Sequence, residues 1–292
     1  MADITPAGRL RIGLLGAGSA ARGVLPSLLG TGRADLAWVA DPACAGARVA
    51  GQTVLPDAPE PLGVDLVLLA TPEPVLPVLV ANLAERLRSE GGRCRAVLQF
   101  SASSPLSGLR PLREAGAWAG LLHPMQTFPR EASPPESIPF WALGGDPELR
   151  EWLGPWMDRL ADEWLWLEPD QQLPYHLCGV LASNFLPPLL SLCESLWPGQ
   201  PGQARRALHP IMAQTLANLS RMEPALAVSG PAARGDRETL QRHLDWLDEF
   251  RPDLIPLYSR LTEEILSLRP AAGSGNIPPD PAVQAAPVED RP

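Results

Sequence analysis

Leu10-Arg11-Ile12-Gly13-Leu14-Leu15-Gly16-Ala17-Gly18-Ser19-Ala20-Ala21 is the stretch whose reading decides the fold. Its first six residues form an apolar run typical of a buried strand, and residues 20–29 read as a helix. The segment is therefore strand, glycine-rich turn, helix. The turn has the pattern G-x-G-x-x-A, which is weak on its own in a chain with 25 glycines. A strand before it, a helix after it and an acid at the end of the next strand give it meaning. Gly16 permits the tight turn and Gly18 lets the backbone approach a pyrophosphate. Ala21 is small enough for the helix to pack on the strand. Free amides around Ser19 and Ala20, at the helix N-terminus, suit the negative charge.

Working outward, residues 34–40 form a second strand ending at Asp41, and 65–70 a third, stopped by Thr71-Pro72. A helix over 75–88 follows, then strands over 95–100 and 117–122. Two more strands, 138–143 and 164–167, flank a helix over 147–160. Apolar strands alternating with helices imply an α/β Rossmann domain, with a mostly parallel, doubly wound sheet covered on both faces. From Tyr175 the pattern changes to long apolar helices: 175–196, bent at Pro187-Pro188, then 203–221, 236–250 and 254–268. Asp236 is the N-cap of the third of these. The expected organisation is a dinucleotide-binding domain over 1–170, an all-α C-terminal domain over 171–270 and a disordered tail over 271–292.

Composition narrows the function. The net charge of −9 argues against nucleic-acid binding. Every one of the 24 basic residues is Arg. Schiff-base, phosphate-loop and general-acid lysines are thereby excluded. Cys44, Cys94, Cys178 and Cys193 show no C-x-x-C pair and no clustered His, so neither a metal site nor a disulfide framework is expected. The N-terminus does not read as a signal peptide, and prolines break the apolar stretch 65–84. A cytoplasmic protein without a membrane partner is the expectation.

Asp41 stands about 20 residues beyond the turn, where a carboxylate accepts from adenosine ribose hydroxyls and repels a 2′-phosphate. NAD is therefore expected over NADP, although Arg48 is near enough in sequence to weaken that preference. Arg22 reads either as a charge contact to the pyrophosphate or as a solvated surface residue. Thr71, Ser101 and His123 fall at the carboxyl ends of successive strands, the ligand edge of such a sheet. Thr71, with Pro72-Glu73, is expected beneath the nicotinamide ribose and Ser101 near the ring. His123 reads either as a proton donor poised near neutral pH or as a structural His bonded to a loop carbonyl. His176 and Ser183 share one helix face with Asn184 on its flank, suiting either the protonation and orientation of a substrate or plain packing. His209 and His243 are read as structural. The expected cofactor residues are Gly16, Gly18, Ser19, Ala20, Asp41, Thr71 and Ser101. The expected catalytic residues are His123, His176 and Asn184.

These strings resemble a family of two-domain proteins, the domain-of-unknown-function 2520 family. The residues carrying the likeness are Gly16-Ala17-Gly18, Leu122-His123-Pro124-Met125-Gln126-Thr127-Phe128, Tyr175-His176 with Ser183-Asn184, and Ser229-Gly230-Pro231 through Arg234-Gly235-Asp236. The resemblance covers about residues 10–268 and is distantly similar to pyrroline-5-carboxylate reductase, ketopantoate reductase and the β-hydroxyacid dehydrogenases. It implies an NAD(P)-binding fold, a substrate cleft between domains and a homodimer built through the helical domain. It supplies no substrate. β-Hydroxyacid dehydrogenases carry a catalytic Lys four residues before an Asn, whereas this chain has Val180 before Asn184. Two readings follow. One is an NAD(P)-dependent reductase or dehydrogenase of a small carbonyl, hydroxy or imine substrate. The other is a non-catalytic dinucleotide-binding sensor or scaffold.

Overall fold

Strand β1 (Leu10–Leu15) is an interior strand, fourth in the order of a nine-stranded sheet among the described residues. The computed structural model describes residues 8–60, 62–89, 94–131, 133, 135, 137–200 and 202–268, and the expected tail 271–292 lies outside the described residues. The other strands are β2 (Ala34–Ala40), β3 (Arg48–Val49), β4 (Gln52–Leu55), β5 (Leu66–Leu69), β6 (Ala96–Gln99), β7 (Trp118–Pro124), β8 (Phe140–Gly145) and β9 (Glu163–Leu167). Their order is β3-β4-β2-β1-β5-β6-β7-β8-β9. The six strands from β4 to β7 run parallel. At the edges β3 is antiparallel to β4, β8 is antiparallel to β7, and β9 runs parallel to β8. From β1 the chain moves out through β2 to β4, then returns to β5 on the other side. The order therefore reverses between β1 and β5, which is where such sheets open a crevice for a ligand.

Four helices wind the sheet: α1 (Ser19–Gly30), α2 (Leu76–Ser89), α3 (Arg110–Glu114) and α4 (Pro147–Leu160). Side chains alternate between faces along each strand. Ile12, Leu14, Leu66 and Leu68 pack with Val24 and Leu28 of α1 and Trp152, Trp156 and Met157 of α4. Val67, Leu69 and Val97 pack on the opposite face with Val80, Leu83 and Leu87 of α2 and Leu112 of α3. The sheet is doubly wound, as expected. The β3–β4 hairpin was not expected, because strands of two and four residues are too short to show a period. It is held at the end of β2 by Asp41 N–H donating to the Leu55 carbonyl at 2.9 Å.

The chain divides into two compact units, with the boundary after Leu189. The first unit extends past the expected boundary at 170 and takes in helix α5 (Gln172–Gly179). The reason is a buried amide: Gln172 Nε2 donates to the carbonyls of Ala102 at 2.9 Å and Ser104 at 2.7 Å. After α5 comes a π-helical turn, Val180–Asn184, and then helix α6 (Leu186–Leu196). The distortion sits before Pro187-Pro188 rather than at them. Neither proline has an N–H for the carbonyl four residues back, and each ring crowds that carbonyl, so the preceding turn widens.

The second unit, taken by itself, is helical: the end of α6, then α7 (Gln203–Leu219), α8 (Pro224–Ala227), α9 (Pro231–Arg234), α10 (Arg237–Phe250) and α11 (Ile255–Ser267). Asp236 caps α10 as expected, accepting from Thr239 N–H at 3.1 Å. His243 of α10 lies 2.8 Å from the Tyr258 hydroxyl of α11 and braces that pair. Of its described apolar side chains only Ala204, Ala232 and Leu247 are buried, while Ile211, Leu226, Trp246 and Phe250 are exposed.

Strand β7 carries His123, and its start is fixed by Asp146. One carboxylate oxygen accepts from Arg113 Nε at 2.6 Å and the other from Ala119 N–H at 2.7 Å. Replacing Asp146 by Ala leaves a partly buried amide and guanidinium unpaired, at a cost of roughly 1–3 kcal/mol. The midpoint of urea denaturation should fall with its slope unchanged; an unmoved midpoint would contradict this role.

Candidate functional site

The turn after β1 is shaped by what surrounds Gly16. Its φ of +102° is left-handed, and a Cβ there would lie 2.4 Å from the Ala70 carbonyl oxygen at the end of β5. No other residue type fits. Gly18, the N-cap of α1, has open space where a Cβ would stand. The first amides of α1 have no intrahelical acceptor. Thr71, whose Cγ2 lies 3.2 Å from where a Cβ of Gly16 would stand, has its Oγ1 buried without a hydrogen-bond partner. A steric cradle, an open approach at Gly18, free amides and an orphaned hydroxyl are features a dinucleotide would satisfy. The residues present fit such a cofactor.

Asp41 stands at the end of β2, with both oxygens already engaged. Oδ2 accepts from Ala17 N–H and Oδ1 from Ala43 N–H, each at 2.9 Å. Its first role is to brace the turn. Arg48 donates to the Gly51 carbonyl within its own hairpin. Arg22 folds back, its Nε donating to the Ala17 carbonyl at 3.0 Å. Its guanidinium edges one cavity of about 510 Å³ lined by Ala17, Gly18, Ser19, Phe128 and Arg130. Phe128 packs so closely on Gly23 of α1 that a Cβ there would come within 2.2 Å of the ring.

A second cavity of about 560 Å³ is lined by His123, Met125, His176, Gly179, Ser183 and Asn184, among others. The three residues expected to be catalytic therefore share one cavity. Thr127, Phe128 and Pro129 line both cavities, so the segment after β7 forms their common wall. Ser183 Oγ lies within reach of the Gly179 carbonyl at 2.7 Å and of Asn184 Oδ1 at 2.9 Å. The π-helical turn thus keeps Asn184 at the cavity in spite of the broken helical period.

His123 is tethered by a partner the sequence reading left out of the site. Its Nδ1 lies 3.0 Å from the Tyr175 hydroxyl, and the two rings meet edge to face, with centroids 5.3 Å apart. The centroid of the His176 ring lies 6.4 Å from that of His123. Burial, with a smaller push from His176, holds His123 down from 6.5 to about 4. The expectation of a histidine poised near neutral pH is thereby corrected: at pH 7 His123 is uncharged, because desolvation disfavours the imidazolium. Burial also raises Tyr175 above its ordinary value, so its hydroxyl keeps its proton.

Ser101 is bonded to Glu73 rather than left free for a nicotinamide ring. Glu73 Oε1 accepts from Ser101 Oγ at 2.8 Å and also from Ser103 Oγ. These bonds, with a smaller contribution from His176, hold the Glu73 carboxyl below its ordinary value. The serine segment is itself pinned by amides: Gln99 Nε2 donates to the Ser101 and Ser104 carbonyls, and Gln172 to those of Ala102 and Ser104. Ser103, Gln99 and Gln172 were missed as site residues, and Glu73, expected with Thr71 beneath the ribose, was not read as the partner of Ser101. Gln99 had a signal, being the single polar residue within the apolar strand residues 96–100.

Residues 138–265 match the model of a family described as Domain of unknown function (DUF2520), the family that the sequence strings resemble. No curated protein sequence matches the chain significantly. Among solved structures, a candidate NADP oxidoreductase from Bacteroides fragilis is 20% identical with a TM-score of 0.63, over 89% of this chain and 98% of that one. A protein from Thermotoga maritima is 17% identical with a TM-score of 0.65, over 88% and 97%. A pyrroline carboxylate reductase from Plasmodium falciparum, solved with NADP bound, is 6% identical with a TM-score of 0.55, over 89% and 98%. At these identities the likeness is one of fold.

The depressed His123 value has a measurable sign. Unfolded chain takes up a proton as pH falls below about 6.5, while the folded protein resists until about 4. Stability should therefore fall as pH drops through that window, and more steeply than in His123→Gln. Equal pH slopes for the two proteins in urea denaturation would contradict the neutral, buried imidazole.

Proposed function

We propose that this chain, whose residues 138–265 carry the domain of unknown function, is a nicotinamide-dinucleotide oxidoreductase acting on a small carbonyl, hydroxy or imine substrate. The observation that carries the reading is one of adjacency. The turn built to approach a diphosphate and the cavity holding His123, His176 and Asn184 share the wall Thr127-Phe128-Pro129. A bound nicotinamide supplies hydride transfer. The chain's own residues bind, orient and hold protons. The amides at the start of α1 carry the diphosphate, and the Thr71 hydroxyl, lacking a protein partner, meets a ribose hydroxyl. Tyr175 fixes the ring of His123, and Asn184 orients the substrate. With His123 uncharged, His176 becomes the group that exchanges a proton.

NAD is favoured over NADP in this reading. The Asp41 carboxylate is held at the end of β2 by two backbone amides, and Arg48, the nearby cation, is spent on its own hairpin. Calorimetric titration with NADH and NADPH should show NADH binding the tighter of the two. Alanine at His123 or at His176 should lower turnover at least tenfold and leave NADH affinity within twofold. A protein that binds NADH but turns over no carbonyl, hydroxy or imine substrate would favour the sensor reading instead.

We also propose that the second unit is completed by a second copy of this chain. A helical unit that buries only Ala204, Ala232 and Leu247 has no adequate core of its own, and its exposed Ile211, Leu216, Trp246 and Phe250 form matching apolar surface on every copy. The run Gln172–Leu196 is long and apolar enough to cross a membrane by composition, with a mean hydropathy of 1.4. It nevertheless begins at the buried Gln172 and carries His176, Ser183, Asn184 and Glu194. Sedimentation of purified protein at micromolar concentration should give a dimer that Trp246→Glu dissociates. A monomer, or a protein recovered only with lipid vesicles, would overturn this.

A further inference from the structure

We propose that Tyr175 is a positioning residue that makes His123 a hydrogen-bond donor through Nε2–H, aimed at the reacting oxygen of a carbonyl substrate. This rests on the oxidoreductase reading and names the kind of atom that the site takes.

The two ring nitrogens of His123 have different neighbours. Nδ1 lies 3.0 Å from the Tyr175 hydroxyl, which has no other hydrogen-bond partner among the described residues. Burial keeps the phenol protonated and the imidazole uncharged. If Nδ1 carried the ring hydrogen, the half-buried phenol O–H would have nothing in the protein to donate to, and an unmade bond of that kind is costly. The hydroxyl therefore donates to Nδ1, and the single ring hydrogen sits on Nε2.

Nε2 has no protein partner among the described residues, yet it is not sealed in. The sealed, unpartnered side-chain atoms there are Thr71 Oγ1 and Trp152 Nε1. The ring lines the cavity of about 560 Å³, and Nε2 is the ring nitrogen left free for a ligand in it.

Charge on the wall does not choose the ligand, since the described lining residues include no Arg, Asp or Glu. The side chains of Gln126, Thr127, Ser183 and Asn184 both donate and accept, so they suit ligands of either kind. His123 differs from them. Tied through Nδ1, it only donates, and the atom opposite Nε2–H must carry a lone pair. A carbonyl oxygen has two, and the alcohol oxygen formed from it keeps two. The nitrogen of a protonated C=N has none.

The electron flow agrees with that placement. On reduction the carbonyl carbon gains a hydride from the reduced nicotinamide, which is thereby oxidised. The C=O π pair moves onto oxygen, and the Nε2–H bond strengthens as negative charge develops there. His123 keeps its hydrogen throughout. A proton passes from His176 to the oxygen and completes the alcohol.

The test is nitrogen NMR of the full-length protein with labelled imidazoles at pH 7, with and without saturating NADH. The chain has four histidines, and the signals lost in His123→Gln are those of His123. The expected result is a hydrogen directly coupled to Nε2 and an unprotonated, hydrogen-bonded Nδ1. In Tyr175→Phe, which keeps the aromatic ring, Nδ1 should move to the position of an unbonded nitrogen, with circular dichroism unchanged. Cyclohexanone should shift the Nε2–H signal downfield; cyclohexylamine, a cation at pH 7 with no free lone pair, should not. A hydrogen on Nδ1 in the wild-type protein, or an Nδ1 signal unmoved in a folded Tyr175→Phe, overturns the inference. So does an Nε2–H signal unmoved by cyclohexanone or moved as far by cyclohexylamine, and these wild-type spectra decide even if the variant does not fold. If the spectra are as expected and no nicotinamide nucleotide binds, the inference stands and the oxidoreductase reading fails. If NADH binds and Nδ1 carries the hydrogen, the reverse holds.

Discussion

The β1–α1 turn is tied to both neighbouring strands, and the rest of the site depends on that tie. Gly16 accepts a left-handed backbone because the Ala70 carbonyl of the β5 end lies where a side chain would stand. Gly16 N–H donates to the Ala40 carbonyl at 2.9 Å, and Asp41 holds the Ala17 amide. Strands β1, β2 and β5 thus converge on two consecutive residues, Gly16 and Ala17, at the point where strand order reverses. That convergence aims the N-terminus of α1 along the carboxyl edge of the sheet. The Thr71 hydroxyl and the free amides share one edge because the register of β1 with β5 puts them there.

A second set of ties builds the histidine cavity from distant parts of the chain. Gln172 binds the serine segment after β6, and so α5 is anchored to the sheet before its other residues are placed. Tyr175 and His176 follow on the same helix, and both rings come close to that of His123. Burial then decides the protonation of that histidine. His123 is held by the Tyr175 hydroxyl, Asn184 by that of Ser183, and the serine segment by the carboxamides of Gln99 and Gln172, so little reorganisation is needed when charge develops nearby. The same anchoring draws α5 into the first unit, while the helices after Leu189 expose the apolar side chains that suit pairing.

Much of the fold was legible because its signals are local. An apolar run followed by a glycine turn specifies a strand and a helix start, and β1, β2 and α4 fall on the residues read from sequence. The hairpin of β3 and β4 was not legible, since its residues alternate too briefly to show a period. At the site, residue identity pointed to His123, His176 and Asn184, and the fold gathers them around one cavity. Their states were less accessible. That His123 is neutral depends on burial and, to a smaller extent, on His176, over 50 residues away (123 to 176). The engagement of Asp41 by two amides and the capture of Ser101 by Glu73 depend on how segments cross at the sheet edge. A motif names residue types; it does not say which neighbours have already claimed their lone pairs.

The central claim, that a nicotinamide dinucleotide rests on the opening turn of α1, is tested most directly by amide shift mapping with isotope-labelled protein. On addition of NADH the account predicts that the largest changes occur at Gly18, Ser19, Ala20 and Thr71, with smaller ones at His123. Changes confined to the second unit, or saturable binding that leaves those four amides unmoved, would contradict it.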